Sequence, residues 1–236
     1  YLTKQELFML DLLSNYQWDR PINLLSMGGD INIGMKDYLM YEGFSYKFVP
    51  VKNRMKSTEI GFADPEDLYY KMKNVFAWDA LKRTDYFVDY QNYYTFCGVL
   101  SQRSIFINVA KEMLKIGDTA RAVEMLDMCQ ECVPEVNFPL DITYLGFINE
   151  YMVVDMIETY YDAGAPDKAL DLAQRFIDEL FNSTIFFLEY YDLAQKEFES
   201  CYNCISYVAD LTEHFGDTEY AESIRDRFNS LLDIEE

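Results

Sequence analysis

The length, composition and charge of this chain exclude several classes of protein. It has 236 residues, of which 50% are hydrophobic and 26% charged, enough apolar side chain for a sizeable core and too much for a disordered chain. The formal net charge is −21, which excludes nucleic acids and bare anionic lipid surfaces as partners, because both are polyanions. No window holds the roughly 18 consecutive apolar residues of a bilayer-spanning helix. We expect a soluble chain and, because it begins at Tyr1, an excised piece or processed product.

The charge is unevenly distributed along the chain. Residues 1–83 contain 11 Lys/Arg and 11 Asp/Glu, so they are balanced. Residues 84–236 contain the other 9 basic and 30 acidic residues, and 9 − 30 = −21. This asymmetry predicts two parts with different surfaces.

The first part of the chain alternates between helical and extended patterns. A possible capping box, Thr3 with Glu6, begins the first helical pattern. The patterns predict a helix over 2–15, a strand over 21–27, a helix over 35–42 closed by Gly43, and a strand over 45–51. Residues 1–60 are therefore predicted to form a small α/β unit.

A connecting segment is predicted over residues 61–95. Asp64 followed by Pro65 predicts a helix start, because Pro is tolerated in the first helical turn and acidic residues are favourable there. The stretch 84–96 is dense in aromatic residues. Since aromatic faces are favoured at interaction surfaces, we expect three of them to line a binding groove: Tyr90, Tyr93 and Tyr94.

Residues 96–236 show an internal repeat. A Gly is followed five residues later by an Ala at three places: Gly117 with Ala122, Gly164 with Ala169, and Gly216 with Ala221. Each pair lies between two amphipathic stretches. Gly supplies the left-handed residue that ends a helix, and the small Ala allows two helices to approach closely. These hairpins resemble degenerate tetratricopeptide repeats, although the turns are 47 and 52 residues apart instead of about 34. Elongated helices or insertions would account for the extra length.

The aromatic residues of the last third fall largely on helical spacings. For most of them, core packing between hairpins is the favoured prediction, over a role in binding. The residues concerned are Phe186, Phe187, Tyr190, Tyr191, Phe198, Tyr202 and Tyr207.

Two Cys-x-x-Cys pairs, Cys129 with Cys132 and Cys201 with Cys204, are candidates for a metal or redox site. Each lies inside a helical pattern without a Gly/Pro knuckle or a basic neighbour. Buried thiols acting as small hydrophobic residues on one helix face are therefore favoured over zinc binding and redox activity. Cys97 is unpaired in the sequence, and no cofactor or metal is expected.

Other candidate groups are weaker. The Gly-rich stretch 27–34 lies between a strand and a helix but lacks a phosphate-binding fingerprint, so a tight turn is favoured. The single histidine, His214, is predicted in the last turn of a helix, where the helix dipole favours it. Carboxylate pairs such as Glu197 with Glu199, or Asp162 with Asp167, are expected by chance in so acidic a chain, and no catalytic residue is assigned.

Two segments carry a resemblance to a known family: Trp18-Asp19-Arg20-Pro21-Ile22, and the stretch from Tyr38 through Glu42-Gly43 and Tyr46 to Val49-Pro50. In these segments the chain resembles the soluble C-terminal region of multi-spanning membrane proteins of Bacteroidota that are related to protein O-mannosyltransferase-like glycosyltransferases. A Trp-x-Arg-Pro-Ile strand is followed there by a Tyr-x-x-x-Glu-Gly-x-x-Tyr-x-x-Val-Pro helix and strand, then by tetratricopeptide-like helices. The matching residues are Trp18, Arg20, Pro21, Ile22, Tyr38, Glu42, Gly43, Tyr46, Val49 and Pro50. The match covers about 40 residues, and Asn23-Leu24 replaces the usual aromatic residue after the strand's Pro-Ile.

The resemblance implies a role for this chain within a larger protein. The catalytic acid of such glycosyltransferases lies between transmembrane helices that this sequence does not contain, so no catalytic residue is carried over. The expectation is a mainly α chain, with a small α/β unit before a helical hairpin array, acting as a non-catalytic interaction or substrate-positioning domain on the extracytoplasmic, periplasmic face. Its partner would be a protein or glycan acceptor. The alternative is a carbohydrate-binding module or carbohydrate-active enzyme with an aromatic groove and paired carboxylates. In the α/β unit, Arg20 is predicted to pair with Glu42 or another acid and brace strand to helix.

Overall fold

The structure, a computed structural model, describes residues 2–25, 34–52, 62–86, 100–140 and 149–232. The chain divides into two compact units, residues 1–76 and 77–236. The first holds a small sheet with helices and the second is an array of helices. The predicted fold class, mainly α with a small N-terminal α/β unit before a helical array, is therefore confirmed.

The first unit begins with helix α1, Lys4–Ser14. The predicted capping box is present: the Thr3 hydroxyl accepts from the backbone N–H of Glu6, and the Glu6 carboxylate accepts from the backbone N–H of Thr3. Only Met9 is buried in this helix. Its capping therefore fixes where α1 begins, whereas packing against the unit involves one narrow face.

In the described part of the first unit, four short strands form one sheet in the order β1-β3-β2-β4. They are β1 (Asn23–Leu24), β2 (Leu39–Tyr41), β3 (Tyr46–Phe48) and β4 (Phe62–Ala63). β3 pairs antiparallel with both β1 and β2, with Lys47 opposite Asn23 and Met40. β4 pairs parallel with β2. The strands predicted over 21–27 and 45–51 are present but shorter.

The helix predicted over 35–42 is wrong in its second half. A 3-10 turn occupies Met35–Tyr38, and the chain then extends into β2. Leu39 and Tyr41 are buried while Met40 is less so, an alternation of period two that places both on the core side of the sheet. Gly43 takes a φ of 90° between β2 and β3, so it makes the turn of a hairpin and not the end of a helix.

The prediction that Arg20 pairs with Glu42 or another acid and braces strand to helix is also wrong. The Arg20 side chain is 87% exposed, and it lies 4.0 Å from the exposed carboxylate of its sequence neighbour Asp19, a contact that joins no strand to a helix. Glu42 instead accepts a 3.0 Å hydrogen bond from Lys71 of helix α2, Pro65–Asn74. As predicted, α2 begins at Pro65, and the Asp64 carboxylate caps it by accepting from the N–H groups of Glu66 and Asp67.

The described residues of the second unit form helices α3 to α9. A short helix, α3 (Asp79–Lys82), precedes three helical hairpins. These are α4 (Leu100–Lys115) with α5 (Thr119–Cys132), α6 (Asn149–Asp162) with α7 (Pro166–Glu189), and α8 (Tyr191–His214) with α9 (Thr218–Leu232).

The three predicted turns have the same backbone structure. Gly117, Gly164 and Gly216 all have positive φ, at 79°, 75° and 102°. In each turn the glycine N–H donates to the carbonyl three residues before it, and the next N–H donates to the carbonyl five residues before itself, the Schellman pattern that satisfies the last carbonyls of a helix. The hairpin prediction from the Gly and Ala spacing is therefore confirmed.

The positions of the buried side chains repeat from one hairpin to the next. Counted from each turn glycine, the side chains 11, 8, 7 and 4 positions before it and 5, 8 and 12 positions after it are buried in all three hairpins. The position five after the glycine holds the three alanines, each with no exposed surface: Ala122, Ala169 and Ala221.

The hairpins stack in chain order. The first helices of successive hairpins pack on one another, α4 on α6 and α6 on α8, and α7 packs along α8. Stacked hairpins bury a continuous core that no single hairpin encloses, which is the packing principle of helical repeat arrays. The central helix α6 is therefore covered on several sides.

Candidate interaction surface

Two helices of the array are much longer than their neighbours. α7 and α8 each contain 24 residues, whereas α6 and α9 contain 14 and 15. α6 pairs with α7 from the Gly164 turn, and α9 pairs with α8 from the Gly216 turn, so the far ends of α7 and α8 run past the described residues of both partners. We call residues 185–200, at the junction of these two helices, the arm.

The arm contains no buried side chain. The last buried residue before it is Thr184 and the first after it is Cys201. Its exposed apolar and aromatic residues are Ile185, Phe186, Tyr190, Tyr191 and Leu193. Leu193, next to the helix break at Ala194, is 87% exposed. A two-helix segment with this composition leaves an apolar surface in water, which marks an interaction site more often than a free surface.

Aromatic rings of the arm contact one another. The Phe186 ring centroid lies 5.0 Å from that of Tyr190 and 5.6 Å from that of Phe187, and Tyr191 makes an edge contact with Phe198 at 5.4 Å.

The exposure of these rings contradicts the prediction that most aromatic residues of the last third pack in the core. Those left exposed are Phe186, Tyr190, Tyr191, Tyr202 and Tyr207.

The arm is also acidic. Residues 185–200 contain Lys196 as the one basic residue and four acidic residues, Glu189, Asp192, Glu197 and Glu199, which gives a formal charge of 1 − 4 = −3. Gln195 donates a 2.8 Å hydrogen bond to Glu199. The exposed apolar side chains of the arm are thus surrounded by acidic residues.

A second surface lies on the central helix α6. Between residues 151 and 162, all side chains are buried except those of Tyr151, Asp155, Glu158 and Asp162. Their spacing of four, three and four residues places them on one helix face. Lys111 of α4 pairs with Asp155 at 2.7 Å. These four residues therefore form an acidic stripe with one aromatic residue on α6, flanked by α4 and α8.

A groove of about 280 Å³ lies between α8 and α9. Ile205, Ala209 and Ile224 form its apolar floor. Arg225 lines it and donates to the carboxylates of Asp210 and Glu213 at 2.8 and 2.5 Å. Among the described residues, Asp210 is the one carboxylate lining this groove, and it is paired, so these residues do not supply the two facing carboxylates of a glycoside hydrolase.

The described cysteines are buried in the array. Cys129 and Cys132 lie on the buried face of α5, and Cys201 and Cys204 on that of α8. Burial raises the pKa of Cys129 to about 12 and that of Cys132 to about 11, which leaves both thiols protonated at neutral pH. Within the described ranges, no group of three or more His, Cys, Asp or Glu side chains is placed to hold a metal ion.

Several residues singled out in the sequence lie away from these surfaces or outside the described residues. Tyr90, Tyr93, Tyr94, Cys97 and most of the Gly-rich stretch 27–34 lie outside the described residues. Trp18 is half exposed and has a φ of 62°; its ring contacts those of Tyr16 and Phe48. His214 is the last residue of α8, as predicted, and its ring lies against Phe215.

The arm was missed in the sequence, but one signal pointed to it. The turn glycines of the last two hairpins are 52 residues apart, and helical patterns fill most of that distance. A pair of helices longer than the hairpins beside them must extend past those hairpins. Elongated helices were among the expected causes of the wide spacing, yet their exposed ends were not recognised.

Comparisons with known proteins give one match. No curated protein and no solved structure matches the chain. No described helix combines the length and apolar character needed to cross a membrane. A family model described as TMEM260-associated domain 2 matches residues 1–67, which include the capped helix α1 and the whole sheet. In this region the chain is similar to a domain associated with TMEM260-like membrane proteins.

Proposed function

We propose that this chain is a non-catalytic interaction and substrate-positioning region of a TMEM260-like membrane protein of the glycosyltransferase type, and that its tetratricopeptide-like array holds a polypeptide partner. The match over residues 1–67 supports the link to such a membrane protein. The extracytoplasmic, periplasmic location and the glycosyltransferase relation are parts of this proposal.

One observation carries the interaction role. The arm has sixteen consecutive residues, 185 to 200, without a buried side chain, and among them are two aliphatic and three aromatic residues with large exposed surface. Full burial of each such side chain contributes about 1.5–3 kcal/mol. The described residues of the array provide no cover for them, so a bound partner is the natural source of that burial.

The chemistry of the arm favours a polypeptide over a glycan. Ile185 and Leu193 are branched aliphatic side chains, which pack against apolar side chains and offer no flat face for a sugar ring. The surrounding acidic residues complement basic groups at the rim of a partner's apolar pocket. A partner segment with apolar residues flanked by Lys or Arg therefore fits the arm best.

The experiment is site-directed photocrosslinking in the intact parent protein. A photoreactive phenylalanine analogue replaces Phe186 in the arm or, as a matched control, Tyr207, an aromatic residue of similar exposure on the body of α8. We expect the same polypeptide to crosslink from Phe186 and not from Tyr207. We also expect Leu193→Ser to weaken that crosslink about tenfold, because it removes the most exposed apolar group.

The outcomes separate the proposal from its alternative. Identical crosslinks at both positions would indicate contact by diffusion and contradict a specific arm. Transfer of label to glycans without polypeptide would favour the carbohydrate-binding alternative. Crosslinking to no partner at either position in active parent protein would overturn the interaction role.

A further inference from the structure

The first unit carries a second unpartnered apolar feature. Helix α1 has one buried residue, Met9, and its exposed side chains include Leu7, Phe8, Leu10 and Leu12. Phe8 is 67% exposed and Leu7 53%. A helix that is apolar around most of its circumference is normally buried on most of its circumference. The described residues of the unit cover only the narrow face that contains Met9.

An aromatic cluster follows α1 directly. The Trp18 ring lies 4.7 Å from that of Tyr16 and stacks on Phe48 at 5.8 Å, yet half of its surface is exposed. Trp18 has a φ of 62°, in the left-handed region that a bulky side chain rarely adopts. Such strain persists where the surrounding structure holds it, and it often marks a functional position. Arg20, two residues after Trp18, has an 87% exposed side chain.

From these features we infer that α1 and the Trp18 cluster dock, parallel to the surface, into the interface of a zwitterionic lipid bilayer. Exposed Leu and Phe enter the apolar boundary, Trp and Tyr occupy the headgroup level that they prefer, and Arg20 reaches outward to phosphate. Lys4 and Asp11, one turn to either side of Leu7 and Phe8, give the exposed face no net charge and limit the docking to a shallow depth. The match to a membrane-protein domain covers this same region.

Charge argues for lipid in place of a second copy of the chain, and for zwitterionic in place of anionic lipid. Residues 1–76 contain 9 basic and 10 acidic residues, a net charge of −1, which leaves −20 on residues 77–236. Self-association would bring two such acidic units together, and an anionic bilayer would repel the second unit. The first unit alone is neutral enough to approach a bilayer, and apolar contact must supply the affinity. This inference concerns the first unit and does not depend on the role of the arm.

The test is flotation of the 236-residue chain with phosphatidylcholine vesicles, read together with tryptophan emission. We expect the chain to float with the vesicles and the emission of Trp18 to shift to the blue, while Trp78, already buried, does not respond. Leu7→Gln with Phe8→Gln should reduce binding about tenfold or more. The matched control is Ile185→Gln with Phe186→Gln, an aliphatic and aromatic pair of similar exposure on the arm, which should leave binding unchanged.

Further measurements show which interaction holds the chain on the vesicles. Binding should persist at high salt and should not increase when phosphatidylglycerol is added. Absence of flotation by the folded chain, loss of binding in the arm variant alone, or binding that requires phosphatidylglycerol and disappears in salt would each overturn the inference. So would a wild-type oligomer in vesicle-free solution that the α1 variant converts to monomer, because a second copy would then cover the helix.

Discussion

The hydroxyl of Tyr161, at the end of α6, donates a 2.6 Å hydrogen bond to the carboxylate of Asp217 in the turn of the next hairpin. The Tyr161 ring also stacks on Phe215 of that turn, with centroids 4.5 Å apart and planes inclined by 4°. One side chain therefore joins the second hairpin to the third by both a polar and an apolar contact.

Replacement of this hydroxyl should destabilise the array. We expect Tyr161→Phe to lower the free energy of unfolding by about 1–2 kcal/mol, because a partly buried hydrogen bond to a charged acceptor is lost while the ring stack remains. Urea denaturation measures the change. The control is a double-mutant cycle with Asp217→Ala, which removes the acceptor: if the two single changes simply add, the hydrogen bond contributes nothing specific and the expectation fails.

Stability should fall at alkaline pH. Burial raises the pKa of Tyr160, Tyr161 and Tyr220, and neighbouring carboxylates raise it further. An unfolded tyrosine titrates near pH 10, so above that pH the unfolded chain releases protons that the folded chain retains, and unfolding becomes more favourable. Below about pH 9 these groups should have no effect. Thermal melts across this range, with Tyr220→Phe for comparison, should show a weaker alkaline loss in the variant.

The turn glycines should resist substitution for conformational reasons alone. A Cβ built on Gly117, Gly164 or Gly216 meets no atom within 4 Å, so there is no clash. The positive φ still disfavours an L side chain by about 1 kcal/mol. Each Gly→Ala variant should therefore lower the free energy of unfolding by that amount. A loss several times larger in urea denaturation would mean that the space around the turn is occupied.

The arm and the body of α7 should respond oppositely to truncation. Leu180 has no exposed surface, and Leu180→Ala should cost about 2–5 kcal/mol through the cavity it leaves. Leu193→Ala should change stability by less than about 0.5 kcal/mol, because Leu193 is almost fully exposed. Chemical denaturation of both variants gives the comparison. A large loss from Leu193→Ala would show that the arm is packed in solution.

The Cys-x-x-Cys pairs should behave as buried thiols. In a Cys97→Ser background, a disulfide reagent at mildly alkaline pH should react slowly with the native chain and rapidly after unfolding in urea, because Cys129 and Cys132 are buried and protonated. Fast labelling of native protein would reopen the redox interpretation that the helical context disfavoured.

Local chemistry made part of this fold predictable. The cap at Thr3, the helix start at Pro65 and the three glycine turns depend on residues within five positions of one another, and all are confirmed. The pairing of Glu42 depended on Lys71, which is 29 residues away, so the sequence offered no reason to prefer it over Arg20. The helix predicted over 35–42 failed for a similar reason, since pairing with β3 and β4 draws Leu39–Tyr41 into the sheet.

The candidate surface was harder to predict than the fold. Apolar residues at helical spacing look the same whether a neighbouring helix covers them or not, so Phe186 and Tyr190 resembled core residues. What decides their exposure is how far the described parts of α6 and α9 extend beside α7 and α8. That depends on the lengths of four helices together, which periodicity within one segment does not reveal.

The unequal helix lengths have a mechanical consequence. An α-helix advances 1.5 Å per residue, so a pair that runs several residues past its neighbours holds its tip on the order of 10 Å beyond them. Any molecule held at the tip is then kept at a set distance and rotation relative to the array. Inserting one helical turn in both α7 and α8 would raise the tip by about 5.4 Å and keep its facing nearly unchanged, whereas inserting two residues would turn it by more than half a revolution.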